Sequence, residues 1–239
     1  MNEADPLAWL ASLEGVPSAF AATRDGIDAL LRDRGLRQTV PEQTAESLLR
    51  GAYASAALAG SGSSLEEIRS GDGDPTAQAA LRVSTSVLAL VPVLATSPAQ
   101  VFARLHSLAG KGALDDSVLG RPANSEAAGR LATLSRTLLA TSMPALMVAA
   151  VLHAEVATAA LFGSYDAIVA RALERLTLVA RGVDPASVVV PEAGHLALRP
   201  AYESNLRAYS AGKRAGVQAW LLYSAEAYTR AAEASPLRT

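Results

Sequence analysis

The chain has 239 residues, which suits one large domain or two small ones, and half of them are apolar while only 5% are aromatic. Its net charge of -2 gives no basic excess, so nucleic acid and anionic membranes are not expected partners. With no cysteine, disulfides and thiolate metal sites are excluded, and the acidic start of the chain is unlike an export signal, so we expect a cytoplasmic protein.

The first third of the sequence predicts short helices with clear start signals. Residues 1–36 predict two of them, the second from Ser18 to Gly35, where the glycine is a stop signal. Thr39 is a candidate N-cap for the next helix, which has Pro41 in its first turn and runs to about residue 57. Ser64-Leu65-Glu66-Glu67 resembles a capping box and starts a helix that ends near Arg69.

Apolar periodicity predicts helices through the rest of the chain as well. Val188-Val189-Val190 is too short for a sheet of its own, so the sequence predicts an all-α protein with little or no sheet. The predicted helices are Thr76–Leu94, one starting at Ser97-Pro98, 126–140, 143–160, 167–181, 199–210 and 216–234.

One stretch, Met143–Phe162, is apolar enough and long enough to suggest a membrane span. It carries His153 and Glu155 near its centre, and ionisable side chains are costly in the middle of a bilayer. We therefore interpret it as the buried central helix of a globular protein.

Four short motifs occur in order along the chain: Ser55–Gly60 with Ser64–Ile68, Leu105-His106, Gly120-Arg121-Pro122, and the segment His153–Arg171. Their order resembles the Fic (Fido) family, helical proteins that transfer AMP or another phosphate-containing group to a target hydroxyl. The resemblance covers roughly residues 44–228 and implies a Fic-like helical domain at 39–234, after an N-terminal helical extension at 1–38. It also implies a central antiparallel helix pair at 144–181.

The family signature H-P-F-x-D/E-G-N-G-R-x-x-R aligns with residues 160–171, and most of its chemical groups are missing here. Phe162 and the final Arg171 are retained, and Gly163 occupies the variable position; Arg171 is a candidate phosphate-binding residue. The departures are Ala160 for the catalytic histidine, Ser164 for the metal-binding carboxylate, Tyr165, Asp166 and Ala167 for Gly-Asn-Gly, and Ile168 for the first arginine.

These losses remove the parts that AMP transfer needs. Ala160 cannot accept a proton, and losing a general base typically lowers a rate by about 10²–10⁴-fold. A Ser164 hydroxyl is a poorer Mg²⁺ ligand than a carboxylate, and Asp166 would repel a phosphate. The sequence therefore predicts no catalytic residue and no cofactor, with ATP and Mg²⁺ expected only if the pocket has been re-purposed.

The inhibitory segment of the family is altered in the same way. The residues that resemble it include Ser55, Ala59 and Gly60, with Ala59 at the position of the inhibitory glutamate. In the family that glutamate pairs with the final arginine of the signature. Arg171 is thus expected to have no partner at residue 59 and to find another. The family's target-docking hairpin is also not expected, because Ala123–Ser142 predicts helix and turn.

Each of the three histidines is a candidate functional group. His153 could be a base displaced by two helical turns, but we interpret it as a core histidine hydrogen-bonded to a neighbour. His106 and His153 together lack a third ligand at a suitable spacing, so no metal site is predicted. His195 is expected in an exposed loop, and Trp220 with Tyr223 is expected to pack in the core.

The leading hypothesis from sequence is a non-catalytic Fic-like protein that binds an unknown protein partner or a second copy of itself. The alternative is a nucleotide-dependent, AMPylation-type transferase that uses Tyr165 or Asp166 in a re-purposed site. A third interpretation, an unrelated helical bundle, would be indicated if the helices flanking residues 160–167 did not form a central antiparallel pair.

Overall fold

The computed structural model describes residues 5–32 and 41–238, and within these ranges it contains α-helices, short 3-10 helices and no strand. The prediction of an all-α protein is therefore confirmed. The α-helices are α1 (Val16–Leu30), α2 (Pro41–Leu58), α3 (Leu65–Ser70), α4 (Pro75–Ser86), α5 (Val91–Leu94), α6 (Pro98–Gly110), α7 (Ser125–Ala140), α8 (Ala145–Thr158), α9 (Asp166–Ala180), α10 (Pro191–Ala197), α11 (Arg199–Ser210) and α12 (Arg214–Glu233).

Several helices begin where a side chain satisfies their first N–H groups. The predicted capping box of α3 is present: the Ser64 hydroxyl accepts the Glu67 N–H at 3.2 Å, and the Glu67 carboxylate accepts the Ser64 N–H at 2.7 Å. Asp74 and Asn124 are simple N-caps of α4 and α7, and their side chains accept the N–H groups of Ala77 and Ala127. The candidate cap Thr39 lies outside the described residues, although α2 does begin at Pro41.

The centre of the molecule is the antiparallel pair α8 and α9, as predicted. His153 in the middle of α8 lies opposite Glu174 in α9, and Arg181 just after α9 reaches back to the Met143 carbonyl just before α8. Helix α8 buries an unbroken run from Leu146 to Ala154. This run explains why residues 143–162 are so apolar: they form the core of a helical protein.

Two apolar clusters flank α8, and the helix contributes to both. One contains α1, α11 and α12; the other contains α2, α4, α6, α7 and α9. Helix α1 packs on α12, where the rings of Phe20 and Tyr228 lie 6.3 Å apart, so the N-terminal helix shares a core with the rest of the chain. The predicted boundary between an extension and a domain, at residues 38 and 39, falls outside the described residues and stays a prediction.

The predicted long helix Thr76–Leu94 is interrupted in the structure. Helix α4 ends at Ser86, a 3-10 turn covers Val87–Leu90, and α5 follows. Pro92 accounts for the change, because it has no N–H for the helical hydrogen-bond ladder and its ring crowds the preceding turn. Within the described residues, Pro75–Leu94 is also the one stretch whose length and apolar composition would suffice to cross a membrane, a test that buried core helices also pass.

Candidate functional site

The loop between α8 and α9 contains three residues with left-handed backbone conformations. Ala160, Gly163 and Tyr165 have φ values of +48°, +78° and +57°. Ala160 is exposed at the start of the loop, and Tyr165 is the N-cap position of α9 without a side-chain cap. The position at which the resemblance expects a general base thus presents a methyl group to solvent.

The carboxylate of Asp166 folds back onto this loop. Its Oδ1 accepts the backbone N–H of Phe162 at 2.9 Å, and the N–H groups of Leu161 and Gly163 also interact with it. Partial burial raises the pKa of Asp166, and the three N–H groups oppose that rise. A cluster of backbone N–H groups that could hold an anion is therefore filled by a side chain of the protein itself.

The loop is also poorly suited to Mg²⁺. The metal prefers carboxylate oxygens, but residue 164 is a serine and the nearby Asp166 carboxylate is turned onto the backbone. The remaining signature positions serve packing, since Ile168 is buried in the apolar cluster with Phe162. The residues present do not fit a nucleotide-bound Mg²⁺ ion.

His106 is the imidazole nearest to the loop, and its ring stacks on Phe162 with 4.4 Å between centroids. Its Nδ1 accepts the Gly120 N–H at 2.9 Å, which places the proton of the neutral ring on Nε2. Burial lowers the pKa of His106, although a backbone interaction with Ser164 opposes this. His106 is therefore a neutral packing residue whose only basic nitrogen is already bonded.

Gly120 must be a glycine for this contact to form. Its φ is +71°, and a Cβ atom there would lie 2.6 Å from the Ser107 hydroxyl and 2.8 Å from the Ala103 carbonyl oxygen. The close approach brings the Gly120 N–H onto His106. The turn after α6 is thus held against that helix by one hydrogen bond, and only a glycine allows the close approach that this bond needs.

Arg171 is almost fully buried and is held by helices on both sides. Its Nε donates to the Ser55 hydroxyl and its Nη2 to the Ser55 carbonyl, each at 2.9 Å, while Nη1 donates to the Tyr202 hydroxyl at 3.2 Å. Ala59 lies just beyond the end of α2 and cannot pair with it. The prediction that Arg171 finds a partner other than residue 59 is confirmed.

A buried polar cluster, which we call the His-Glu-His cluster, occupies the centre of the molecule: His153, Glu174 and His195. Glu174 Oε2 lies 2.9 Å from His153 Nδ1 and 2.9 Å from His195 Nε2, and all three side chains have 0% exposure. The prediction of a hydrogen-bonded core histidine is confirmed for His153. The prediction for His195 is wrong: it lies in α10 and is fully buried, because the chain after Pro191 forms a helix that packs on α12.

Three tyrosines complete the cluster. The Tyr202 hydroxyl lies 3.0 Å from His153 Nε2, the Tyr223 hydroxyl lies 2.8 Å from His195 Nδ1, and the Tyr228 hydroxyl donates to Glu174 Oε1 at 2.8 Å. The cluster therefore joins all five C-terminal helices, α8 to α12. Tyr223, expected to serve as packing, has this additional polar role.

One proton assignment satisfies every member of the cluster. Ionised Glu174 accepts N–H groups from both histidines and the O–H of Tyr228; the second nitrogen of each histidine accepts a tyrosine O–H. Burial alone would raise the pKa of Glu174, but the histidines and their hydrogen bonds outweigh it and lower that pKa. Burial lowers the pKa of His153, which agrees with a neutral ring.

The same three residues could in principle hold a metal ion, since their ligand atoms lie within 4.8 Å of one another. Two imidazoles and a carboxylate are a zinc ligand set. A divalent ion would, however, displace both N–H donors from Glu174 in a site where all three side chains have 0% exposure. The hydrogen-bond network explains the cluster without a metal. Sequence reasoning missed it because Glu174 and His195 are distant from His153 along the chain.

A second buried ion pair fastens α9 to its neighbours. Arg175 donates to both carboxylate oxygens of Glu192, at 2.9 and 2.6 Å, and also to the hydroxyls of Ser47 and Ser187. Gly51 makes room for this pair, because a Cβ atom there would lie 2.7 Å from Arg175 Nη2. This contact locks α2, α9 and α10 together.

Comparison with known proteins gives a fold assignment. No family model matches the sequence, and no curated protein matches it. Among solved structures, a Fic family protein from Desulfovibrio desulfuricans G20 superimposes with a TM-score of 0.72 at 15% sequence identity, over 90% of this chain and 73% of that one. The fold is Fic-like.

The Fic-like fold brings the separate sequence motifs into contact. Ser55 of the first motif holds Arg171 of the last, and His106 of the second binds Gly120 of the third and stacks on Phe162. In this chain, the contacts that the motifs make with one another are packing contacts and hydrogen bonds within the protein. The order of the motifs in the sequence thus reflects a shared architecture.

Proposed function

We propose that this chain is a catalytically inactive Fic-like protein that acts in the cytoplasm by binding, to a protein partner or to a second copy of itself, rather than by transferring AMP. The observation that carries the proposal is the state of the α8–α9 loop. Ala160 offers no proton acceptor, and the loop N–H groups that would face a phosphate are taken by Asp166. The site therefore lacks a base and an open anion cradle.

No other described histidine can replace the missing base without rearrangement. His106 has its unprotonated nitrogen on Gly120, and His153 and His195 have both nitrogens bonded within the His-Glu-His cluster and its tyrosines. All three rings have 0% exposure. A target hydroxyl arriving at the loop surface would meet no imidazole able to accept its proton.

The retained Arg171 does not by itself support nucleotide binding. Its exposure is 1%, and three of its N–H groups are already bonded to Ser55 and Tyr202. A phosphate would have to displace these partners and enter the core. The proposal therefore treats Arg171 as a structural residue of the Fic-like fold.

The proposal is tested by incubating the protein with cell lysate, Mg²⁺ or Mn²⁺, and radiolabelled ATP, GTP or CDP-choline. We expect no labelled protein above the level of a heat-inactivated sample. A matched variant restores six of the family's signature residues and shows whether the assay can detect activity from this scaffold. Its substitutions are A160H, S164E, Y165G, D166N, A167G and I168R.

Transfer by the unaltered protein to any target, or to itself, would refute the proposal. If such transfer were lost in Asp166→Ala, the alternative of a re-purposed transferase that uses Asp166 would replace it. A nucleotide-dependent rise in melting temperature that survives in Asp166→Ala but not in Arg171→Lys would also contradict the structural role proposed for Arg171.

A further inference from the structure

A large groove lies at the end of α8 opposite the α8–α9 loop. Its volume is about 690 Å³, within the range of roughly 300–1,000 Å³ typical of small-molecule sites. Its walls are α1, the first turn of α8 and the segment just after α9. The groove is therefore separate from the signature loop, and nothing in the proposed function uses it.

The wall of the groove is mostly apolar. It includes Phe20, Met143, Leu146, Met147 and Val183. Methionine side chains adapt to irregular apolar ligands, because they are unbranched and polarisable. Such a surface suits a flexible aliphatic chain better than a rigid polar ligand.

The charged side chains that line the groove are both cationic. They are Arg24 and Arg181, and no acidic side chain lines it among the described residues. Arg24 is half-buried. Its Nε donates a hydrogen bond to Asp28 Oδ1 at 2.9 Å, which leaves its other N–H groups available. The lining is therefore complementary to a single negative charge.

Arg181 is bonded to neutral acceptors only. Its Nη2 donates to the Leu138 carbonyl at 2.8 Å, and its remaining bonds go to the carbonyls of Thr141 and Met143 at 3.3 to 3.4 Å. Burial lowers the pKa of Arg181, while the charge of Asp5 opposes this. A carboxylate in the groove would give this guanidinium a charge-assisted partner.

We propose that this groove binds an aliphatic carboxylate, with the chain against the apolar wall and the carboxylate between Arg24 and Arg181. Burial of each additional methylene in such a wall should tighten binding about fourfold until the groove is full. The carboxylate should matter separately, because an uncharged or cationic head of the same chain length would not pair with the arginines.

The test is isothermal titration calorimetry with octanoate, decanoate and dodecanoate, each below its micelle concentration. We expect saturable one-to-one binding that tightens about fifteenfold for each pair of added methylenes. Decanol and decyltrimethylammonium should bind at least about tenfold more weakly than decanoate, because they cannot accept the charge-assisted hydrogen bonds.

Matched variants locate the site. Ala21→Trp places an indole in the groove and should abolish binding, whereas Ala22→Trp, at the next position of α1 and outside the groove, should leave it unchanged. Arg24→Gln should weaken decanoate about tenfold and leave decanol unchanged. Melting temperatures of the three variants show that each one is folded.

Three results would overturn the proposal: no saturable binding of any of the acids, equal affinity for decanoate and decanol, or equal loss in the two tryptophan variants. Sedimentation velocity adds a fourth. If the unliganded protein is a dimer that Ala21→Trp converts to a monomer, the groove is an interface between copies of the chain and the carboxylate proposal fails.

Discussion

Substitution of Glu174 by glutamine is the sharpest test of how the core is organised. The carboxylate accepts hydrogen bonds from His153, His195 and Tyr228, and all of these groups are buried. A glutamine keeps the size of the side chain but replaces one acceptor oxygen by an NH₂ donor. At least one of the three donors would then face another donor.

The expected cost is large because the site is closed to water. Removing one partner from a buried charged network typically destabilises a protein by about 3–5 kcal/mol, whereas a whole domain has a stability of about 5–15 kcal/mol. Glu233→Gln is the matched control, since Glu233 pairs with Arg230 at the surface with nearly half of both side chains exposed. The control should change the free energy of unfolding by about 0.5 kcal/mol or less.

Urea denaturation followed by far-UV circular dichroism gives both free energies of unfolding. The pH dependence adds a check with a definite sign. The folded-state pKa of Glu174 is lowered below its ordinary 4.5, so its contribution is present above pH 4.5 and is lost as the pH falls below it. The difference between Glu174→Gln and the unaltered protein should therefore shrink below pH 4.5. A loss no greater than that of Glu233→Gln at pH 7 would show that the cluster does not stabilise the fold.

Two further predictions concern other buried groups. Burial lowers the pKa of His106 and His153 below 6.5, so the unfolded chain binds protons at a higher pH than the folded protein does. The free energy of unfolding should therefore keep its full value above pH 6.5. Between pH 6.5 and 5 it should decline by up to about 1.4 kcal/mol per pH unit for each histidine. Urea midpoints at pH 8, 6.5 and 5.5 measure this, and a flat profile would contradict it. Gly51→Ala should destabilise by about 1–3 kcal/mol, because its methyl group would meet Arg175, whereas Gly26→Ala in open space on α1 should stabilise by about 0.5–1 kcal/mol. Melting curves of the two variants compare them directly, and equal shifts would refute the steric argument.

Helix positions were predictable from the sequence because their signals are local. The capping box at Ser64 and the first-turn proline at Pro41 each act within a few residues, and both helices begin where expected. The break at Pro92 was missed because the apolar run around it outweighed the proline in the sequence pattern. The proline rule predicts the interruption once the backbone hydrogen bonds are considered.

The buried polar cluster was not predictable, since its contacts join residues that are far apart in the chain. The sequence around His195 indicates a loop, but Gly194 allows α10 to approach α12 so closely that a Cβ atom at residue 194 would overlap the Ala227 carbonyl. That approach carries His195 into the core. Local patterns contain no information on such packing, although a glutamate such as Glu174 on an otherwise apolar helix face is a signal that buried partners exist.

The signature loop shows the same limit. The sequence suggests that Asp166 would repel a phosphate, which treats the side chain as a charge facing a ligand. In the structure, the Asp166 carboxylate instead accepts hydrogen bonds from the backbone N–H groups of Phe162 and its two neighbours in the loop. An acidic residue in the first turn of α9 is favourable for the helix, so the Asp166 carboxylate that occupies the loop N–H groups also stabilises local structure.

Arg171 shows why a retained signature residue is weak support for retained chemistry. Removing it would leave the Ser55 hydroxyl, the Ser55 carbonyl and the Tyr202 hydroxyl without their donor in a buried site, at a cost of several hydrogen bonds. The side chains of Ala160 and Ser164 lie at the loop and make no hydrogen bond among the described residues, so the fold does not depend on which side chain stands at these two positions. Under the proposal that the chain is inactive, the arginine is retained because it also stabilises the fold, whereas the fold needs neither a base at residue 160 nor a carboxylate at residue 164.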